Sequence, residues 1–288
     1  MNIKLTSSHK KQEPESGCLY IVGTPIGNLS DLSYRAINVL KNVSQIACED
    51  TRQTAKIMSK YNFKNHLISF NKNNSFQKIP RIIKNLNEGQ SYALVSDAGM
   101  PSICDPGEDL IKEARSNGLP VICIPGPCAA ITALVTSGLP SSKFIFQGFL
   151  PKKPSERRER LLAISRYENT TIIFESPHRL KKLLYELKEY CGGDREIRVS
   201  RELTKRFEQH VGDNIYEVID FFKEKEVIGE ITVVINGINK SNNNLEFDIF
   251  EIKKDLNDLI KAGLTLSAAS KYLAKKNNLP KSVIYNLH

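Results

Sequence analysis

Tyr92-Ala93-Leu94-Val95-Ser96-Asp97-Ala98-Gly99-Met100-Pro101-Ser102-Ile103-Cys104-Asp105-Pro106-Gly107 opens as an apolar run and closes as a turn. Its first four residues suit a buried strand, and the run stops at Ser96-Asp97, where turn-forming residues take over. Ligands of an open α/β sheet sit beyond the carboxyl ends of the strands, so Asp97, Gly99 and Met100 are expected where a ligand belongs. Gly99 has no side chain, which lets backbone amides and carbonyls approach a bound group closely. Past Pro101 and Asp105-Pro106-Gly107 the chain is expected to enter a helix at Glu108–Arg115. A single Gly or Pro in such a place usually makes a turn and nothing more. Here two further strand-end loops of the same kind occur.

The first lies upstream. Cys18–Val22 reads as a strand, ends in Gly23-Thr24-Pro25-Ile26-Gly27-Asn28-Leu29, and leads to a helix at Leu32–Lys41. This is only loosely a dinucleotide-binding turn, because the third glycine and the ribose-holding acid of that fingerprint are missing. A second strand, Gln45–Cys48, runs into Glu49-Asp50-Thr51-Arg52, where Asp50 or Thr51 can cap a helix at Gln53–Lys60 and Arg52 has no such explanation. Leu67–Phe70 reads as a third strand, followed by Asn71-Lys72-Asn73-Asn74 and a helix near Gln77–Asn87. Downstream of the quoted stretch, Val121–Ile124 is a fifth strand that ends in Pro125-Gly126-Pro127-Cys128-Ala129-Ala130 and enters an apolar helix, Ile131–Ser137. Small residues at a helix start leave free N–H groups and room for a flat ligand. Residues 17–139 therefore predict one α/β domain with three Gly/Pro loops along one edge.

Length and composition agree with a globular chain. The 288 residues can fill two domains, and 40% hydrophobic with 25% charged residues is ordinary for such proteins. The net charge of +9 suits a polyanionic partner and equally a generic Lys-rich surface. Cys18, Cys48, Cys104, Cys123, Cys128 and Cys191 form no Cys-x-x-Cys pair or disulfide framework and read as small buried residues of a reducing, cytoplasmic setting. No His or Cys pair has the spacing of metal ligands, so no metal is expected. Residues 1–16 read as a disordered polar leader. Ser116–Ser142 lacks charge, yet its prolines and glycines cut it into pieces too short for a membrane span.

The second half repeats the pattern. Phe144–Phe149, Thr171–Phe174, Glu196–Val199 and Ile231–Ile235 read as strands of a second α/β domain, 140–238. Between them lie a highly charged helix, Lys152–Arg166, which is either a solvated face or an RNA-facing one, and an amphipathic helix, Leu180–Tyr190. A polar linker, 239–247, leads to a small helical C-terminal appendage, 248–288, with helices at Phe247–Ile260 and Ser267–Asn277 and another beginning in Pro280–His288. Its lysines can touch phosphates, or the helices can pack on the body or close a dimer.

Gly23 to Leu29, Glu49 to Arg52, Ser96 to Pro101, Asp105-Pro106-Gly107 and Pro125-Gly126-Pro127, in that order, resemble the tetrapyrrole-methylase (class III) S-adenosylmethionine-dependent superfamily. The resemblance continues through Glu175-Ser176-Pro177-His178-Arg179, Ser200 to Lys205 and Gly229 to Val234, and covers roughly Leu19 to Gly237. It implies two α/β domains with S-adenosyl-L-methionine in the cleft between them, and a homodimer. Within the superfamily it points to the branch that methylates a cytidine ribose 2′-hydroxyl in the decoding region of 16S rRNA, in the small ribosomal subunit. The other open readings are methylation of a small tetrapyrrole and a non-catalytic RNA-binding assembly protein on the same scaffold.

The resemblance carries cofactor contacts onto Pro25, Asp97, Gly99, Met100, Ser102, Cys128, Ala129 and Phe174, with Asp97 and the backbone near Gly99 holding the amino-acid or ribose end. For proton handling or ribose placement the candidates are Glu49, Asp50, Arg52, Glu175, His178 and Glu202, unranked, and a site without a dedicated base also fits. Arg52, Arg179, Arg201, Lys205 and Arg206 are the candidates for RNA contact. His178 has an alternative reading as the start of a helix. Two departures from the family pattern stand out: Asn71-Lys72-Asn73-Asn74 where relatives place a His-x-x-Asn run, and Cys128 in place of the usual Ser, which keeps size and loses a hydroxyl.

Overall fold

The computed structural model describes residues 13–238, 246–277 and 281–287. Most of the expected leader and linker, residues 1–12 and 239–245, lies outside the described residues. Five strands, β1 (Leu19–Val22), β2 (Gln45–Cys48), β3 (Leu67–Ser69), β4 (Tyr92–Val95) and β5 (Val121–Ile124), pair in parallel in the order β3-β2-β4-β1-β5. Parallel neighbours need crossovers, supplied by α1 (Tyr34–Asn42), α2 (Thr51–Lys60), α3 (Ser75–Asn87) and α4 (Glu108–Ser116). These helices cover both faces, so both parities of each strand must be apolar. Tyr20, Val22, Ile46 and Val95 pack with Val39, Leu40 and Ile57 on one face. Leu19, Ile21, Tyr92 and Leu94 pack with Ile82, Leu86 and Leu110 on the other. The unbroken apolar runs of the sequence are the signature of this double burial.

Local capping sets where the helices begin. Asp50 Oδ1 accepts the Arg52 N–H at 2.8 Å and starts α2 at Thr51. Ser33 Oγ accepts the Ala36 N–H at 3.1 Å, so α1 begins at Tyr34 rather than Leu32, and Leu29–Asp31 forms a 3-10 turn instead.

A second sheet contains β6 (Phe144–Phe149), β7 (Thr170–Glu175), β8 (Ile197–Arg201), β9 (Gln209–Val211) and β10 (Ile231–Ile235) in the order β6-β7-β10-β8-β9. Only the β6–β7 pair is parallel. One face is covered by α6 (Pro154–Arg166), α7 (Pro177–Cys191) and α8 (Ile215–Phe222), through residues such as Leu161, Leu184 and Val218. The other face meets α5 (Ala129–Ser137), where Ala130, Ala133 and Leu134 pack with Ile172, Val234, Leu203 and Ile26. Helix α5 thus joins the two sheets, and its small uncharged residues are what that joint requires. The helices α9 (Glu246–Lys261), α10 (Leu266–Asn277) and α11 (Lys281–Tyr285) enclose their own apolar cluster of Ile252, Leu256, Ala269, Leu273 and Ile284. Among the described residues no helix is long and apolar enough to cross a membrane.

The loops after β1 and β5 cross backbone to backbone. A Cβ on Gly126 would lie 2.8 Å from Gly23 Cα, and one on Gly23 would lie 2.7 Å from Gly126 Cα. Neither backbone can yield without moving a strand end. Gly126→Ala is therefore expected to cost about 1–3 kcal/mol, as overpacking does, read as a lower urea midpoint.

Candidate active site

All five parallel strands deliver their carboxyl ends to one edge, and the loops there are stitched together. Thr24 and Gly99 exchange backbone hydrogen bonds of 2.9 and 3.1 Å, and Thr24 Oγ1 donates to the Ser96 carbonyl at 3.1 Å. Gly99 holds φ at +83°, a conformation that glycine adopts without strain. Asp97 Oδ1 accepts the Asp50 N–H at 3.0 Å and ties the end of β4 to the end of its neighbour β2. The three Gly/Pro loops and Glu49-Asp50 thereby form one rigid floor.

Over this floor lies a cavity of about 510 Å³, closed on the far side by the second sheet. Its apolar wall includes Ile26, Met100, Phe149, Phe174 and Leu203. Phe174 meets Phe146 and Phe149 edge to face, with centroids 5.0 and 5.7 Å apart. Its polar lining includes Glu49, Asp97 and Asp105. Burial raises the pKa of all three, and the charges of Asp105 and Asp97 push Glu49 up further. Such a trio favours a cationic guest, because a nearby positive charge relieves both the desolvation and the mutual repulsion.

Asp97, Gly99, Met100, Cys128, Ala129 and Phe174 line the cavity, as do Glu49 and Glu175. Pro25 is buried and does not line the cavity. Among the described residues the buried Ser102 hydroxyl has no hydrogen-bond partner; it is not part of the lining and packs where a Cβ on Gly107 would come within 2.6 Å. Asp50 and Arg52 form a forked pair, with Nη2 to Oδ2 at 2.6 Å, and Arg52's hydrogen bonds hold the Asp50 pKa down to about 2. Such a carboxylate is a poor proton acceptor. His178 is exposed in the first turn of α7. Glu202 accepts from Lys205 Nζ at 2.8 Å and from the Glu230 N–H at 3.0 Å, and these contacts outweigh its burial and lower its pKa.

Glu175 is held by two arginines and by the Ser176 N–H, which its Oε1 accepts at 2.8 Å. Its carboxylate takes Arg157 at 3.4 Å and Arg179 at 3.4 Å, and Arg157 also reaches Glu186 at 2.7 Å. Arg179 donates to the Leu150 carbonyl, and Arg201 to the Ile228 carbonyl. Lys205 bridges Glu202 and Glu230, and Arg206 sits over Phe207. None of the five basic candidates for RNA contact lines the cavity.

Lining residues not singled out from the sequence include Asp105, Phe149, Leu203 and Thr232. Asp105 had a visible signal, since it belongs to Asp105-Pro106-Gly107. Phe149 and Thr232 come from the second sheet and Leu203 from the loop after β8, and the packing of these segments over the floor is encoded in no local pattern. The six cysteines are free, but only Cys18 and Cys48 are buried; Cys104, Cys128 and Cys191 are half-buried, and Cys123 is exposed on the edge strand β5. Among the described residues no group of three or more His, Cys, Asp or Glu is placed to hold a metal ion.

The family described as Tetrapyrrole (Corrin/Porphyrin) Methylases matches residues 18–219. The Ribosomal RNA small subunit methyltransferase I of Bacillus subtilis (strain 168) is 40% identical, over 95% of this chain and 94% of that protein. The protein of the same name from Thermotoga maritima is 46% identical over 77% of this chain and 99% of its own length. Among solved structures, uroporphyrin-III C-methyltransferase from Thermus thermophilus, complexed with S-adenosylhomocysteine, superposes with a TM-score of 0.53 at 16% identity, over 75% of this chain and 96% of that one. The chain belongs to the tetrapyrrole (corrin/porphyrin) methylase family, in its group of ribosomal RNA small subunit methyltransferases I.

Proposed function

We propose that this protein transfers a methyl group from S-adenosyl-L-methionine to a cytidine ribose 2′-hydroxyl in the decoding region of 16S rRNA, within the small ribosomal subunit. The observation that carries this reading is the cavity at the strand ends, in a chain whose near relatives are named for small-subunit rRNA methylation. A homodimer belongs to the same reading and rests on the family resemblance, and a cytoplasmic setting rests on cysteines that form no disulfide framework.

The cavity fits the cofactor chemically. Three carboxylates of raised pKa suit a cation that carries both an ammonium and a sulfonium, and Phe149, Phe174, Ile26 and Leu203 offer apolar surface to a purine. When bound, S-adenosylmethionine supplies an activated methyl group that needs in-line placement and little else. Asp97 would hold the cationic end while Asp50's N–H fixes its orientation. Glu49 is our choice for receiving the ribose proton, because it lines the cavity and its raised pKa brings it nearer the working pH. Glu175, held by Arg157, Arg179 and the Ser176 N–H, keeps the end of β7 in place.

A pH dependence follows. The ionised trio binds a cation, so affinity is full above the raised pKa values and is lost as pH falls through them. The loss begins at a higher pH than for free carboxylates, whose pKa is about 4. Calorimetric titration from about pH 8 down to pH 4.5 should show S-adenosylmethionine weakening more steeply than S-adenosylhomocysteine, which lacks the sulfonium charge.

The reaction itself is tested with labelled cofactor and small subunits lacking the modification, followed by nucleoside analysis. Label in 2′-O-methylcytidine is the expected outcome. Label in uroporphyrinogen and none in RNA would replace this reading with small-molecule methylation. Particle binding with no transfer would leave a non-catalytic RNA-binding protein.

A further inference from the structure

The loop between β8 and β9 carries side chains that the site above leaves unused. Phe207 is 68% exposed, and the Arg206 guanidinium lies over its ring at 5.5 Å from the centroid. A single exposed aromatic is ordinary on a protein surface. This one is held by a loop that is anchored at several points. Glu202 and Thr204 both adopt positive φ, at 54° and 64°. Glu208 accepts the Thr204 N–H at 2.7 Å, and its other oxygen lies 2.9 Å from His210 Nε2. His210 Nδ1 in turn meets the fully buried Ser200 Oγ at 2.9 Å. Ser200, His210 and Glu208 resemble a hydrolytic triad in composition, but the buried serine cannot receive a substrate, so the three serve to fix the loop.

The loop is also pinned to the first domain and to the cavity. Thr204 Oγ1 accepts the Asn28 N–H at 3.0 Å, and a Cβ on Gly27 would come within 2.5 Å of Lys205 Cγ. Leu203, four residues before Phe207, lines the cavity itself, and Glu202 is bonded to Glu230, another lining residue. Phe207 and Arg206 therefore sit on an anchored loop whose first part lines the cavity, and they offer an aromatic face and a cation that forms no ion pair among the described residues.

Unpaired nucleobases are recognised by stacking on aromatic rings and guanidinium planes, with cations taking the adjoining phosphates. A ribose can enter a cavity between two sheets only if its nucleotide leaves the neighbouring stack, and the bases so exposed need a new partner. We propose that Phe207 and Arg206 form a stacking platform for an unpaired base adjoining the target nucleotide of the RNA. This inference rests on the RNA-directed reading above.

Its test uses the full chain and small ribosomal subunits lacking the modification, with co-sedimentation for particle affinity and labelled methyl transfer for KM and kcat. Phe207→Ala and Phe207→Leu should each weaken particle binding and raise KM about tenfold, with kcat and cofactor affinity unchanged. Phe207→Trp should retain wild-type binding, because it restores a flat π-face where leucine restores only apolar bulk. Wild-type affinity in Phe207→Ala, or full rescue by leucine, overturns the platform while leaving the methylation reading intact. Co-sedimentation does not depend on turnover, so a wild-type protein that binds particles without methylating them refutes the proposed reaction while the variants still decide the platform.

Discussion

Asp97→Asn is expected to weaken S-adenosylmethionine binding about 10- to 100-fold, the range for losing a hydrogen bond to a charged group, with little change in unfolding midpoint. The side chain does two jobs that this substitution separates. One oxygen accepts the Asp50 N–H at 3.0 Å, and an asparagine carbonyl can keep that bond. The negative charge facing the cavity is lost. Asp97→Ala removes both, so it should add a looser β2–β4 edge to the binding defect and lower stability as well. Calorimetry and urea unfolding on the two variants distinguish the roles: wild-type binding in Asp97→Asn, with binding and stability both lowered in Asp97→Ala, would mean that Asp97 acts only as a tether.

Arg157→Met is expected to destabilise the protein by about 3–5 kcal/mol, the typical cost of breaking a buried ion pair from one side. The Arg157 side chain is 4% exposed and the Glu175 side chain fully buried, so removing the guanidinium strands a carboxylate that Arg179 alone must neutralise at 3.4 Å. Glu186 loses its 2.7 Å partner as well. Adding Glu175→Gln to Arg157→Met should recover much of the loss, because the stranded charge then disappears. A double variant no more stable than the single one would show that packing of the long arginine stem, rather than charge, is what matters at this position.

These two residues also mark what a sequence discloses. The first domain was legible because its strands are buried on both faces: Leu19–Val22, Tyr92–Val95 and Val121–Ile124 read as unbroken apolar runs, followed by Gly23, Ser96-Asp97 and Pro125. Asp97 sits at such an ending and could be picked out by position. Arg157 could not, since it is one of several charges on a helix that reads as solvated, and only the docking of α6 on β7 and α7 buries it. Strand β9 escaped for a different reason. Gln209–Val211 is a short edge strand with one buried residue, and its periodicity is too brief to see. Helix α8 had a readable start, with Asn214 accepting the Glu217 N–H at 3.0 Å, but it lies between that unseen strand and the turn leading to β10. The difference between Glu49 and Asp50, neighbours in sequence, was invisible for the most physical of reasons. One faces a partly dry cavity beside other carboxylates, and the other holds an arginine in water.

Whether the cofactor occupies the cleft between the sheets can be measured with the chain's own thiols. Cys128 and Cys104 line the cavity, whereas Cys123 is exposed on β5 outside it. Alkylation at about pH 9, followed by peptide mass analysis, reports each cysteine separately. Saturating S-adenosylmethionine should slow modification of Cys128 and Cys104 and leave Cys123 unchanged. Protection of Cys123 alone, or unaltered rates at Cys128 and Cys104 with cofactor bound, would contradict the placement of the cofactor over the strand ends.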